Sequence, residues 1–204
     1  MASIKNIVFD LGGVLIDWNP RHLFTEVFEN QDELEYFLEH VCNSDWNEEQ
    51  DGGRSLEEGT NILLNKHPKY RREIQMFYGQ WERMLGGEIV PNVSILRKLT
   101  RTSTFEIFAL TNWSAETFPI AQKRYEFLDL FKGIVVSGVE FMRKPDLAFY
   151  QLMLDRFSIS APETLFIDDN ERNILAAKKL NLKTIHLPPG ENLQDALRLL
   201  GIEV

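Results

Sequence analysis

A carboxylate at the carboxyl end of a buried apolar run can attack an electrophile, hold a cation, or simply open a turn. Asp10 stands in that position, after Ile4–Phe9 and before Gly12-Gly13. Comparable polar residues follow other apolar runs. Thr111-Asn112 follow Phe105–Leu110, Ser137-Gly138 follow Gly133–Val136, and Asp168-Asp169-Asn170 follow Thr164–Ile167. Lys144, in Arg143-Lys144-Pro145-Asp146, lies in the loop shortly after the third of these runs. Each residue alone has an ordinary structural account. Thr111 or Ser114 suits a helix N-cap, Asp169-Asn170 would cap a helix at Glu171, and a loop lysine is usually solvated. As a set they imply more. In an open parallel sheet, ligands bind outside the carboxyl ends of the strands. Three carboxylates (Asp10, Asp168, Asp169) would face one ammonium there, so the cluster must raise its pKa values or bind a cation. Oxygen ligands suit Mg²⁺. With Mg²⁺ and Lys144 present, the crevice accepts a phosphate dianion, and backbone N–H groups of the Asn112–Ala115 turn would add donors. The expected chemistry is phosphoryl transfer.

The elements that must position these residues are readable from periodicity. The runs above, with Lys183–Leu187, are near-continuously apolar, as strands covered on both faces should be. Helical periodicity marks Ser114–Tyr125, Leu147–Phe157, Glu171–Leu180 and Leu193–Leu200. The alternation predicts an α/β fold with a doubly wound parallel sheet of five strands. Between roughly Asp17 and Gly87 no strand is evident, only the amphipathic segments Arg21–Glu29, Asp32–Cys42, Ser55–Lys66 and Pro68–Leu85. The expected organisation is a core of residues 1–16 and 88–204 with a helical cap of residues 17–87 inserted in it.

Composition narrows the function classes. The 204 residues carry a formal net charge of −9, which disfavours a partner recognised through a phosphate backbone. No apolar run is long enough to span a bilayer, and the start lacks a signal-peptide pattern, so a cytoplasmic protein is expected. The single cysteine, Cys42, allows no disulfide framework. The histidines have no metal-ligand spacing, which disfavours zinc. Oligomeric state, monomer or homodimer, stays open.

At these residues the sequence resembles the haloacid dehalogenase superfamily, in the phosphatase branch with a helical cap. Asp10-Leu11-Gly12-Gly13-Val14, Thr111-Asn112, Lys144-Pro145 and Asp168-Asp169 stand where the family's four motifs do. The resemblance covers essentially the whole chain and implies a Rossmann-like core. It implies Asp10 as the nucleophile that forms an aspartyl-phosphate, and Lys144 neutralising that nucleophile and the transferring group. Thr111 and Asn112 would bind phosphate with Lys144. Asp10, the backbone carbonyl of Gly12, and Asp169 would bind Mg²⁺, with Asp168 outside the first ligand sphere.

One departure matters. Most phosphatases of this superfamily carry an Asp acid/base two residues after the nucleophile, and here that residue is Gly12. General acid–base catalysis contributes about 10²–10⁴-fold, so its loss slows catalysis without abolishing it, and least for a good leaving group. The Asp-Leu-Gly opening resembles that of α-glucose-1-phosphate phosphatase-type members, which implies a small phosphorylated metabolite, a sugar phosphate first, as substrate. Asp17, Glu48, Glu49 and Asp51 are candidates for a substitute acid, Asp17 foremost, against the plainer reading of solvated carboxylates. Two alternatives remain: a non-catalytic protein that binds phosphometabolites, and a 2-haloacid dehalogenase, for which the paired Asp168-Asp169 is poorly suited.

Overall fold

The computed structural model describes residues 3–203. Seven strands form: β1 (Asn6–Phe9), β2 (Ile16–Trp18), β3 (Leu85–Glu88), β4 (Glu106–Thr111), β5 (Gly133–Val136), β6 (Thr164–Asp168) and β7 (Lys183–His186). Five of them make a parallel sheet in the order β5-β4-β1-β6-β7. Successive side chains leave a strand on opposite faces, so a strand covered on both sides must be apolar throughout. Ile7 and Phe9 join Ile107, Ala109, Leu165 and Ile167 in one core layer, while Val8 joins Phe108, Leu110 and Phe166 in the other. The helices Leu147–Phe157 and Glu171–Lys179 supply Phe149, Tyr150, Met153 and Ile174 to the second layer.

The register sets the level of the strand ends. Phe9 pairs with Ala109 on β4 and with Ile167 on β6, and the Asp10 N–H donates to the Ile167 carbonyl at 2.8 Å. Asp10, Thr111 and Asp168 therefore emerge together at the carboxyl edge. β1 lies between neighbours from which the sheet extends in opposite directions, where an α/β sheet opens a crevice.

Between β1 and β4 the chain is mostly helical, with several departures from expectation. β2 and β3 pair antiparallel across the ends of the insertion, where no strand is evident in the sequence. They are three and four residues long and contain Gly86-Gly87, too short and too glycine-rich for a period to show. The second departure is a helix over Ser44–Asp51, capped by the Asn43 side chain on the Trp46 N–H. Only Trp46 and Gln50 of that helix are buried, so it has almost no apolar stripe. Elsewhere, the segment expected over Asp32–Cys42 divides into a helix Gln31–Tyr36 and a π-helical turn Phe37–Val41. The helix expected from Ser114 begins only at Phe118, because the Ser114 hydroxyl accepts from the Glu116 N–H and shapes a turn instead.

Aromatic rings hold the insertion together. Phe24 and Phe37 lie 4.9 Å apart, Phe24 and Phe77 5.9 Å, and Trp46 meets Phe77 edge-on at 5.1 Å. The Trp46 indole N–H donates to the Gly59 carbonyl at 2.9 Å, so its polar end is satisfied as its ring is buried. No helix among the described residues is long and apolar enough to cross a membrane. Phe77 is fully buried at the centre of this ring cluster. Phe77→Ala should lower the unfolding free energy by about 3–5 kcal/mol, read as an earlier urea midpoint. An unchanged midpoint would mean that the rings do not carry the insertion.

Candidate active site

Lys144 is the hub of the strand ends. Its ammonium is buried, 2.9 Å from Asp10 Oδ1 and 2.7 Å from Asp168 Oδ2, and lies 5.5 Å from the centre of the Phe166 ring. Burial works against the charge, but Asp10 and Asp168 outweigh it and hold the ammonium above its ordinary pKa. The loop that carries Lys144 is clamped by one side chain. Asn112 Nδ2 donates to the Lys144 carbonyl at 2.9 Å, and Asn112 Oδ1 accepts from the Lys144 N–H at 2.8 Å. The Asn112 amide is thereby committed to positioning Lys144. One Nδ2 hydrogen remains for a ligand in the cavity that Asn112 lines.

The aspartates divide by how much of their hydrogen-bonding capacity is used. Asp168 is fully buried and accepts from Lys144, from Asn173 Nδ2 at 3.0 Å on both oxygens, and from the Asn170 N–H at 2.8 Å. Little capacity remains for a ligand. Asp10 Oδ1 accepts from the Leu11 N–H at 2.7 Å and from Lys144, which leaves Oδ2 free to act. Asp169 is half-buried, and its carboxylate packs against the Cα of Gly13 so closely that any side chain there would collide with it. Gly13 also has φ +72°, so two independent constraints require glycine.

The charge balance fits a cation. One carboxylate oxygen from each of Asp10, Asp168 and Asp169 can be chosen with all three within 4.8 Å of one another. Burial, added to the charges of Asp168 and Asp169, pushes Asp10 up to about 7 despite Lys144. Asp169 is raised by burial and by the charge of Asp168. Oxygen donors with this excess of negative charge suit a hard divalent ion. Thr111 adds a second indication. Its residue is fully buried and its hydroxyl has no partner among the described residues. An unpaired buried hydroxyl costs about 1–3 kcal/mol, and a ligand oxygen at the strand ends would relieve it.

Above these residues is a cavity of about 450 Å³, within the range of small-ligand sites. Asp10, Gly12, Asn112 and Asp169 floor it, and Trp18, Tyr78, Trp81 and Trp113 line it, along with Asp51. Asp17 is not in it. Its carboxylate pairs with His22 at 2.9 Å and faces a different cavity. Arg54 is also directed elsewhere, onto Gln50 Oε1 and the Trp46 carbonyl. The turn after β4 offers fewer free donors than its sequence implies, because the Trp113 N–H goes to Ser137 Oγ at 2.9 Å and Ser114 bonds Asp51 through its backbone. Sequence reasoning missed Asn173, which positions Asp168, and the wall contributed by Tyr78. A polar residue on the buried face of Glu171–Lys179, five residues after Asp168, was the available signal for Asn173.

Removing the hub should expose its electrostatic cost. Lys144→Met leaves buried carboxylates unpaired, which costs about 3–5 kcal/mol. Urea unfolding at pH 8 should show that loss, and Mg²⁺ should recover part of it. A variant as stable as the wild type, with no response to Mg²⁺, would contradict this reading.

Comparison with known proteins agrees with the geometry. The profile of the haloacid dehalogenase-like hydrolases matches residues 7–187. A sesquiterpene phosphatase of Aspergillus oryzae is 31% identical over 187 residues, 91% of either chain. A phosphoglycolate phosphatase of Vibrio cholerae is 23% identical over 94% of this chain and 88% of its own. Among solved structures, a wild-type HAD family enzyme of Bacteroides thetaiotaomicron in complex with magnesium and inorganic phosphate superposes with a TM-score of 0.71. It is 23% identical, over 95% of this chain and 98% of its own. The chain belongs to the haloacid dehalogenase-like hydrolase family, in its phosphatase branch.

Proposed function

We propose that the protein is a Mg²⁺-dependent phosphomonoester hydrolase in which Asp10 is the nucleophile. The observation that carries this is the Asp10 carboxylate, held by Lys144 and the Leu11 N–H through one oxygen, on a residue that lines the cavity. Asp10, the main-chain carbonyl of Gly12, and Asp169 are the groups proposed to hold Mg²⁺, with Asp168 supporting them through its bonds to Lys144 and Asn173. Mg²⁺ there would supply positive charge that keeps Asp10 ionised and neutralises phosphate oxygens. Thr111 Oγ1 donates to a phosphate oxygen in this reading, and Lys144 offsets charge on the transferring group. Asp10 attacks phosphorus, the alcohol departs, and water releases inorganic phosphate from the aspartyl-phosphate.

The cavity walls bear on the substrate. Four aromatic side chains stack well against an alcohol with an apolar face, and 450 Å³ suits a small metabolite. A sugar ring has such a face, and so does a terpenyl chain like that implied by the name of the Aspergillus oryzae relative. The substrate class proposed is a small phosphomonoester with an apolar face, sugar phosphates included. A non-catalytic binder would use the same cavity but release no phosphate.

Phosphate release should therefore require Mg²⁺ and be abolished by EDTA and by Asp10→Asn. A panel of sugar-1-phosphates, sugar-6-phosphates, a prenyl phosphate and a phenyl phosphate assigns the alcohol. Mg²⁺-dependent binding of these compounds with no turnover of any would establish a binder instead.

A further inference from the structure

The family's acid/base position is Gly12, and the backbone there would admit the missing residue. A Cβ at Gly12 meets nothing within 4 Å, and its φ lies outside the left-handed region. The absence of an acid is thus a matter of sequence, not of space. Either the leaving group needs no proton, or the proton comes from elsewhere.

The four candidate carboxylates of the insertion are separated by their partners. Asp17 pairs with His22 outside the cavity. Glu48 pairs with Arg172 at 2.7 Å, and Glu49 with Arg143 at 2.8 Å. Each of these is paired and none lines the cavity. Asp51 differs on both counts. It lines the cavity with Asp10 and Asp169, and among the described residues it forms no ion pair. Its neighbours are neutral donors, Asn47 Nδ2 at 3.0 Å from Oδ2 and the Ser114 backbone.

Asp51 is also the point where the insertion is fastened to the sheet edge. The Ser137 hydroxyl donates to the Asp51 carbonyl and accepts from the Trp113 N–H, which joins the ends of β4 and β5 to this residue. Arg143 donates to the Glu48 carbonyl at 2.9 Å, one turn earlier. On the other side a hydrogen-bond chain fixes the carboxylate. Gln50 Nε2 donates to the Tyr78 hydroxyl at 2.9 Å, Tyr78 donates to Asn47 Oδ1 at 3.0 Å, and Asn47 donates to Asp51. The carboxylate is held against the Ser114 backbone, in the turn that follows Thr111, and faces the same cavity as Asp10.

We propose that Asp51 is the general acid/base of this enzyme, supplied by the insertion in place of the residue missing at Gly12. The inference rests on the phosphatase reading above. When an Asp10 oxygen bonds to phosphorus and the ester P–O bond breaks, the Asp51 carboxyl gives its proton to the departing alkoxide oxygen. When water attacks the aspartyl-phosphate, the Asp51 carboxylate takes the water proton as the P–O bond to Asp10 breaks. Inorganic phosphate leaves, and both aspartates return to their starting states. Burial, with a contribution from Glu48, raises the Asp51 carboxyl to about 7 against the pull of the Ser114 backbone and Arg143. Such a group holds a proton near neutral pH and can also return it.

The test compares two esters with Asp51→Asn, a nearly isosteric change that keeps an acceptor for Asn47. On an alkyl phosphate, whose alkoxide needs a proton, kcat/KM should fall by about 10²–10⁴-fold. On p-nitrophenyl phosphate, whose phenolate leaves unaided, it should change little. Adding Gly12→Asp to Asp51→Asn should restore alkyl phosphate turnover through the space above Gly12. Undiminished alkyl phosphate turnover in Asp51→Asn would overturn the proposal. So would an equal loss on both esters that Gly12→Asp does not recover. Wild-type turnover that requires Asp10 alongside either result leaves the phosphatase reading standing, whereas no Asp10-dependent turnover on either ester overturns both.

Discussion

The buried Lys144 ammonium, shared between Asp10 and Asp168, is the interaction on which the rest of the site depends. A lysine is rarely so buried unless its charge is met, and here two carboxylates meet it within 3 Å. The same contact orders three strands and a loop. Asp10 ends β1, Asp168 ends β6, and the clamp from Asn112 at the end of β4 fixes the Lys144 backbone. The sheet register brings these ends level, and the lysine then limits the repulsion among carboxylates placed so close together. Two negative charges remain in excess, one of them carried by Asp169 against Gly13. That excess is the physical basis for expecting a divalent cation.

The cavity is finished by the insertion. Its aromatic core fixes the helix Ser44–Asp51, and the last turn of that helix is tied to the core through Arg143, Arg172 and Ser137. These ties come from the segments that follow β5 and β6, so the wall above the sheet is positioned by the same stretches of chain that carry Lys144 and the aspartates. Closure over a reacting phosphate ester excludes water and strengthens every charge interaction within. It also explains how a carboxylate 41 positions after Asp10 can serve the same reaction. Chain distance is irrelevant once the turn beside Thr111 and the end of the helix are hydrogen-bonded together.

How much of this was legible in the sequence follows from which forces leave a local trace. The five sheet strands were readable because burial on both faces demands near-continuous apolar runs such as Ile4–Phe9. The polar residues at their ends were readable as a set because the sheet aligns them. The helix Ser44–Asp51 was not, since it is held by Trp46, Gln50 and an asparagine cap with no amphipathic period. Asp17 looked the better substitute acid because it follows the first motif closely, yet His22 and Gly86 hold it in another cavity. Asp51 gains its standing from Ser114, Asn47 and Ser137, contacts that no local pattern reveals. Asn112 looked like a phosphate donor, and only the fold shows that its side chain also clamps the Lys144 backbone.

The most direct test of the account is to quench the enzyme in acid during turnover with Mg²⁺ and a reactive phosphomonoester, and to examine the peptide containing Asp10 by mass spectrometry. The account requires one phosphoryl group on Asp10, removed by hydroxylamine and absent from Asp10→Asn. Sustained phosphate release with an unmodified Asp10 peptide at every quench time, and undiminished release by Asp10→Asn, would contradict it.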